Sequence, residues 1–228
     1  MNLVGIGLYS FPEASKLTGI ESSRLRRWLR GYTFHRKGVE TTRASDPLWE
    51  SPLLRDELDV LSFGDLLEVR FVDAFRQHGV SLHTIRVAAK HAREMFNMDY
   101  PFTCRRFQTD GRAVFTEAIR ETGESEMIDL AKKQYVFDRV VRPSLYTGIE
   151  FGADELAKRW FPVHNSKAIV LDPLIAFGKP IVADVGIRTD ILFEAFQAEQ
   201  DKQTVARLYE IPVGAVEQAI RFELRQAA

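Results

Sequence analysis

The feature that most constrains the fold is the segment SFPEASKLTGIESSRLRRWLRG, residues 10–31, which has the pattern of two short helices joined by a tight turn. Ser10 stands just before Pro12, as at many helix starts, because serine caps free backbone N–H groups and proline lacks one. Gly19 ends the first helix and Gly31 the second, since glycine readily adopts the left-handed conformation of helix ends. The segment therefore predicts a helix-turn-helix.

The second of these helices is predicted to have one apolar face and one basic face. Leu25, Trp28 and Leu29 are spaced three and four residues apart, which places them on a single buried stripe. Ser22 or Ser23 is predicted to cap this helix. At about 100° per residue, the opposite face is polar. That face consists of Ser23, Arg27 and Arg30, flanked by Arg24 and Arg26.

A basic second helix predicts binding to double-stranded DNA. In a helix-turn-helix this helix enters the major groove, where arginine pairs with guanine edges and with phosphates. From Glu21 to Arg43, seven basic residues accompany two acidic ones, so the segment carries +5 in a chain of net charge −1. A solvated basic face, or one paired with acids elsewhere, is the alternative interpretation. The predicted DNA contacts are Ser22, Ser23, Arg24, Arg26, Arg27, Arg30, Tyr32, Arg36, Lys37 and Arg43.

Other classes of protein find little support in the sequence. The single cysteine, Cys104, cannot form an internal disulfide or a cysteine-based zinc site, which suits a cytoplasmic protein. No apolar run is long enough to span a membrane, and the first residues lack the basic start of a signal peptide. We therefore expect a cytoplasmic, nucleoid-associated protein without membrane contact.

Catalytic and cofactor motifs are also missing from the sequence. His78, His83 and His91 do not have the spacing of a metal motif, and no phosphate-binding loop, dinucleotide fingerprint or nucleophile elbow occurs. The sequence therefore predicts neither an enzyme nor a bound metal or cofactor.

Two stretches resemble the DNA-binding domain of MerR-family regulators. YSFPEASKLTGIESSRLRRW resembles their helix-turn-helix, and residues 61–94, LSFGDLLEVRFVDAFRQHGVSLHTIRVAAKHARE, resemble the two helices that follow their wing. Ser81 is predicted to cap the second of those helices. The resemblance implies a winged helix-turn-helix domain over residues 1–98. The intervening segment, TFHRKGVETTRASDPLWESPLLRDELDV, is longer than a MerR wing.

Beyond this point the chain departs from MerR regulators, which continue into a long coiled-coil helix. Residues 99–165 are predicted to form a mixed α/β connector. Asp110-Gly111, between two β-rich runs, is typical of a hairpin turn. EMIDLAKKQYVFDRVVR predicts a helix that ends before Pro143, and SLYTGIEFG and KAIVLDP predict strands.

Residues 166–228 resemble an antitoxin-associated domain of formerly unknown function. The shared features are the Gly-x-Pro strand in AFGKPIV and the turn VGIRT, which contains Gly186 and Arg188. Ile187 stands where that domain has threonine. Together with the first domain, the chain resembles VapB-type antitoxins, which combine a MerR-like domain with this module. The resemblance implies a PIN-like ribonuclease toxin as the partner.

The C-terminal segment is also predicted to contain a second helix-turn-helix. Its core pattern consists of Ala206, Tyr209, Ile211, Val216, Ala219 and Ile220. Residues 190–225 contain seven acids and four bases, a local charge of −3 that phosphate would repel. We therefore interpret this unit as a dimerisation or toxin-binding module rather than a DNA reader.

Taken together, the sequence predicts an α+β fold with a MerR-like winged helix-turn-helix, a β-containing connector and a small C-terminal domain. The predicted function is that of a type II antitoxin, a homodimer that autorepresses its promoter and blocks its toxin by direct contact. Arg159 and Arg188 are the predicted toxin contacts, because an inserted cation competes with the metal for the carboxylates of the toxin's active site. The aromatic pair Trp160-Phe161, beside Arg159, is predicted to anchor the interface. The alternative is a stand-alone MerR-like transcriptional regulator whose connector binds a small-molecule effector.

Overall fold

The fold alternates helices with small antiparallel sheets, which confirms the predicted α+β class. The computed structural model describes residues 5–35, 42–56, 58–123 and 145–226. The first elements are β1 (Tyr9–Ser10), α1 (Phe11–Thr18), α2 (Ser22–Arg30), β2 (Tyr32–His35), β3 (Thr42–Ser45), α3 (Pro52–Arg55), β4 (Val60–Leu61), α4 (Phe63–Gln77), α5 (Leu82–Phe96) and α6 (Phe107–Thr122). They are followed by β5 (Ile149–Phe151), β6 (Ala157–Trp160), β7 (Ile169–Val170), β8 (Ile181–Val182), β9 (Ile187–Arg188), α7 (Thr189–Glu199), α8 (Lys202–Leu208) and α9 (Val213–Gln226).

Helices α1 and α2 form the predicted helix-turn-helix. Ser10 caps α1 in a reciprocal capping box with Glu13, and Gly19 ends it with φ 73°. The predicted serine cap of α2 is wrong, because Glu21 occupies the N-cap position without a side-chain bond. Ser22 lies inside the helix instead, and its hydroxyl donates to a backbone carbonyl of α1.

Strands β2 and β3 pair as an antiparallel hairpin that follows α2 directly. Tyr32 opposes Ser45 at the open end, where Gly31 has φ 72° and leaves no room for a side chain. A Cβ atom at Gly31 would lie 2.5 Å from the Ser45 carbonyl oxygen. Arg43 belongs to β3, whereas Arg36 and Lys37 lie outside the described residues.

One hydrophobic core joins the helix-turn-helix to the elements that follow it. The predicted stripe of Leu25, Trp28 and Leu29 is buried in this core. Ser81 caps α5, as predicted. Aromatic rings from α4, α6 and the segment between α5 and α6 stack in the same core: Phe75, Phe102, Phe107 and Phe115. This core contains residues on both sides of position 98. The predicted domain boundaries, between residues 98 and 99 and between residues 165 and 166, stay predictions.

The predicted hairpin at Asp110-Gly111 is wrong, since both residues lie within helix α6. Phe107, Gly111, Val114 and Phe115 are buried at helical spacing along one face of α6, so helical packing overrides the local turn signal. The predicted strands in SLYTGIEFG and KAIVLDP are confirmed as β5 and β7. The predicted helix in EMIDLAKKQYVFDRVVR lies outside the described residues.

A second hydrophobic core forms where α7, α8 and α9 pack on the β7–β8–β9 sheet. Val205, Val216 and Ala219 are buried there, but Tyr209 caps the end of α8 and is exposed, so its predicted core position is wrong. Helices α8 and α9 occupy the place of the predicted second helix-turn-helix, whose role stays a prediction. Leu17 of α1 packs against this core and connects the two ends of the chain.

Candidate nucleic-acid interface

Helix α2 presents its arginines to solvent because its apolar stripe faces the core. Ser23 and the four arginines, Arg24, Arg26, Arg27 and Arg30, are exposed, whereas Ser22 is half-buried against α1. The nine-residue helix α2 therefore presents a basic face to solvent. Sequence spacing alone predicted this face.

The basic face is not free of acidic partners. Asp59, just before β4, accepts hydrogen bonds from Arg26 Nη1 at 3.1 Å and from Arg30 Nη2 at 2.7 Å. Its slight burial acts to raise the pKa of Asp59, but the hydrogen bonds from the two arginines outweigh it and hold the pKa below the ordinary value. All three side chains are about half exposed. Exposed pairs of this kind contribute at most about 1 kcal/mol each, so phosphate can replace the carboxylate.

A shallow cavity of about 340 Å³ adjoins the face, between α2, the end of α4 and the start of α5. Arg24 pairs with Asp73 across it, at 3.3 Å. Arg76, in the last turn of α4, adds a further cation that sequence reasoning missed; its Nη1 donates to the Val80 carbonyl at 2.8 Å. Only the fold brings Arg76 beside α2, since the two helices are far apart in sequence.

Arg27 differs from the other three arginines of α2. Its guanidinium stacks over the Tyr32 ring, 4.4 Å from the ring centroid, and it has no acidic partner within the described residues. A cation above an aromatic face is attracted by the ring and keeps its charge. Strand β2 therefore orients Arg27 through Tyr32, which links two of the predicted DNA contacts.

The base of the β2–β3 hairpin is held by Arg86 of α5. Arg86 Nη2 donates to the Asp46 carbonyl at 2.7 Å, and Nε donates to the Pro47 carbonyl at 3.3 Å. These bonds position the hairpin relative to α2 and α5. Arg86 is therefore a positioning residue of this interface, not a predicted contact.

The two predicted toxin contacts lie apart from the basic face. Arg159 of β6 donates its Nε to the buried Asp172 at 2.7 Å, and Arg188 of β9 pairs with Asp190. The expected role of Trp160-Phe161 as an exposed anchor is wrong, because these side chains are only 4% and 8% exposed. Trp160, the last residue of β6, packs in the first hydrophobic core, and Phe161 packs with Val170 and Ile181 in a separate cluster.

Two further observations concern the parts of the chain that the structure covers. Among the described residues, no helix is long and apolar enough to cross a membrane. No group of three or more His, Cys, Asp or Glu side chains is placed to hold a metal ion within those same ranges.

Comparisons with known proteins agree with this geometry. Residues 7–89 match a protein-family model described as "Putative DNA-binding HTH domain", which confirms the predicted N-terminal helix-turn-helix. A Mycobacterium tuberculosis protein, "Putative antitoxin VapB45" (strain ATCC 25618 / H37Rv), is 25% identical over 213 residues, covering 90% of this chain and 88% of the relative. The crystal structure of Rv2018 from Mycobacterium tuberculosis shares the fold, with a TM-score of 0.63 at 20% identity over 96% of this chain and 99% of that one.

Proposed function

We propose that this protein is an antitoxin that binds operator DNA through α1 and α2 and neutralises a toxin by direct contact. The exposed arginine face of α2, inside the region that matches the helix-turn-helix family, is the observation that carries the DNA-binding part. Similarity to VapB45 along most of both chains supports the antitoxin part. The protein is proposed to act by binding alone, without a catalytic group.

In this proposal, the arginines of α2 divide the work of recognition. Arg27 and Arg30 read base edges, since they lie opposite the buried stripe, and Arg24 and Arg26 bind the flanking phosphates. On binding, Arg26 exchanges Asp59 for a phosphate oxygen, and Arg30 exchanges Asp59 for a base edge. The DNA thus replaces the Asp59 carboxylate, which occupies the place of a DNA group beside these two arginines.

The β2–β3 hairpin is proposed to act as the MerR-like wing of a domain over residues 1–98. It follows α2 directly, and Arg86 holds its base. Tyr32 and Arg43 belong to its strands, and Arg36 and Lys37 lie between them in sequence. These residues are proposed to contact the DNA backbone beside the groove that α2 enters.

The toxin is proposed to be a PIN-like ribonuclease that Arg159 and Arg188 of this chain contact. Residues 99–165 are proposed to form the connector, and residues 166–228 the C-terminal domain. A homodimer is proposed to repress the chain's own promoter in the cytoplasm, since paired half-sites call for two copies. The acidic helices α7–α9 are proposed to serve dimerisation or toxin binding, because their charge disfavours contact with phosphate.

The DNA-binding part is tested by replacing Arg27 with alanine. We expect Arg27→Ala to weaken binding to a promoter fragment by about 1–3 kcal/mol, the value of a base-reading arginine. Fluorescence anisotropy with the full chain measures the affinity. The matched control is Arg112→Ala, which removes an exposed arginine from α6 and is expected to leave affinity unchanged. Equal affinity of Arg27→Ala and the wild-type protein would contradict the assignment.

A second candidate function is a transcriptional regulator that responds to a small-molecule effector. One observation favours it: a mainly apolar cavity of about 650 Å³ lies between α3, α4, the connector strands and the segment after β7. Its volume lies within the range of small-molecule sites. An effector bound there would contact the first turn of α4, next to β4 and Asp59.

A further inference from the structure

The segment after β7 exposes large apolar side chains close together. Leu174 is 74% exposed, Phe177 is 55% exposed and Ile175 is also exposed. Scattered exposed hydrophobic residues are ordinary, whereas contiguous ones mark interaction sites. We name residues 173–178 the apolar loop.

The apolar loop is anchored at its first end by a buried carboxylate. Asp172 Oδ1 accepts a hydrogen bond from the Leu174 backbone N–H at 2.9 Å, and Oδ2 accepts one from Arg159 Nε at 2.7 Å. Asp172 itself is almost fully buried. The position of Leu174 is therefore determined by a side chain that solvent cannot reach.

The other end of the apolar loop is held by β1. The Leu8 backbone N–H donates to the Phe177 carbonyl at 2.9 Å, and the Tyr9 hydroxyl donates to the Gly178 carbonyl at 2.7 Å. Gly178 has φ 79°, and a Cβ atom there would meet the Tyr9 hydroxyl at 2.3 Å. The loop is thus fitted closely to the first strand of the protein.

The backbone of the apolar loop is strained. Ala176 and Phe177 have φ values of 49° and 54°, in the left-handed region that residues with a side chain rarely adopt. Two consecutive strained residues cost free energy that the anchoring contacts must offset, and such strain clusters at binding sites. Phe177, the second of these two residues, is exposed at this strained position.

A groove continues from the apolar loop into the protein. It is the cavity of about 650 Å³, and its apolar lining includes Phe63, Tyr100, Phe151, Leu156 and Leu174. Leu174 belongs to both the groove and the loop, so the two form one apolar surface. A cavity of this size holds several side chains of a partner protein, in the manner of a helix laid in a groove.

Basic side chains line the edge of this surface. Lys158, Arg159 and Glu150 border the groove, and about half of the Lys158 and Arg159 side chains is exposed. Lys158 is paired with Asp154 at 2.7 Å, so Arg159 is the cation that bears on a partner. Arg159 uses Nε for Asp172, while its other two nitrogens donate no hydrogen bond within the described part of the chain. An arginine oriented by a buried acid, with its terminal donors available, is suited to a carboxylate of a partner.

We infer that the apolar loop and the groove are the surface on which the toxin docks. This inference rests on the proposed antitoxin function and places the contact away from the arginines of α2. The matching segment of the toxin is amphipathic: apolar side chains enter the groove and cover Leu174 and Phe177, and an acidic residue binds Arg159. Because Asp172 and Tyr9 already anchor the apolar loop at both ends, docking orders little of this chain, which favours tight binding.

The test measures binding of the full chain to the purified protein encoded beside it. The variants are Phe177→Asn, which suits the left-handed backbone, and Leu174→Asp. Each is expected to weaken toxin binding by about 30-fold or more, as for the central residues of an interface, with promoter affinity unchanged. Met95→Asp on α5, at a residue that is 57% exposed, is the control and is expected to bind normally. Leu224→Asp, on α9, tests the acidic helices as the alternative surface.

The outcomes separate this inference from the function on which it rests. If the wild-type protein binds the toxin and Phe177→Asn and Leu174→Asp bind equally well, the docking surface is refuted and the antitoxin function stands. If Leu224→Asp alone loses the toxin, the surface lies on α9 instead. If the wild-type protein does not bind, both fail. Light scattering that shows lost self-association of the loop variants, with toxin binding retained, would assign the surface to a second copy and overturn the inference.

Discussion

Replacing Asp59 with asparagine is expected to tighten DNA binding. Asp59 bonds to Arg26 and Arg30, the same side chains that are proposed to meet DNA. Asparagine keeps the size of the side chain and removes its charge. Because the carboxylate competes with DNA for both arginines, its removal leaves them available and also removes a repulsive charge next to the DNA.

The size of the effect follows from the exposure of the pair. Two exposed ion pairs are worth about 0.2–1 kcal/mol each. Repulsion between a carboxylate and a phosphate about 7 Å apart in water adds roughly 0.6 kcal/mol before screening. The sum corresponds to a gain of about 1–2.6 kcal/mol, or roughly five- to eightyfold in affinity. One more phosphate is neutralised, so the slope of log affinity against log salt steepens by about 0.9.

Fluorescence anisotropy with a promoter fragment at several salt concentrations gives both quantities. Asp184→Asn, at an exposed acid between β8 and β9, is the matched control for the change in net charge. Weaker binding by Asp59→Asn would show that Asp59 orients Arg26 and Arg30 for DNA rather than competing with it. An unchanged affinity and salt slope would show that neither arginine contacts the DNA. Either result refutes the reasoning.

Two further predictions concern buried carboxylates of α4. Burial raises the pKa of Glu68 from 4.5 to about 8, although the backbone N–H groups of Phe102 and Thr103 oppose this. The folded state then binds more protons than the unfolded state between those values, so stability falls as pH rises through that window, by up to about 1.4 kcal/mol per pH unit. Glu68→Gln should flatten this trend in urea unfolding at pH 5 and pH 8, and a wild-type stability that is flat or rises would contradict it. Asp65 accepts hydrogen bonds from Trp49 Nε1 and Ser51 Oγ, both at 2.7 Å. Because Asp65→Ala leaves these buried donors without an acceptor, it should lower the free energy of unfolding by about 3 kcal/mol. A loss under about 1 kcal/mol in urea unfolding would count against a stabilising role of these hydrogen bonds.

Much of the interface was predictable because its determinants are local. The cap at Ser10, the turn at Gly19 and the end of α2 at Gly31 each depend on residues a few positions away. The exposed arginines follow from the 3.6-residue period once the apolar stripe is recognised. The same reasoning failed at Asp110-Gly111, where a turn dipeptide lies inside α6. There, burial of Phe107 and Phe115 in a core shared with distant Phe75 stabilises helix over turn.

The sequence by itself therefore determined the helix-turn-helix, the Ser10 cap of α1 and which face of α2 is basic, because periodicity and capping act over a few residues. Only the tertiary structure decided what that face contacts and what else is exposed. Asp59 reaches Arg30 across 29 positions, and Gly178 reaches Tyr9 across 169. Trp160 is buried and Phe177 exposed because strand β6 joins the core, whereas the apolar loop is held outside it by Asp172 and β1. Such pairings depend on how distant elements pack, which no local pattern encodes.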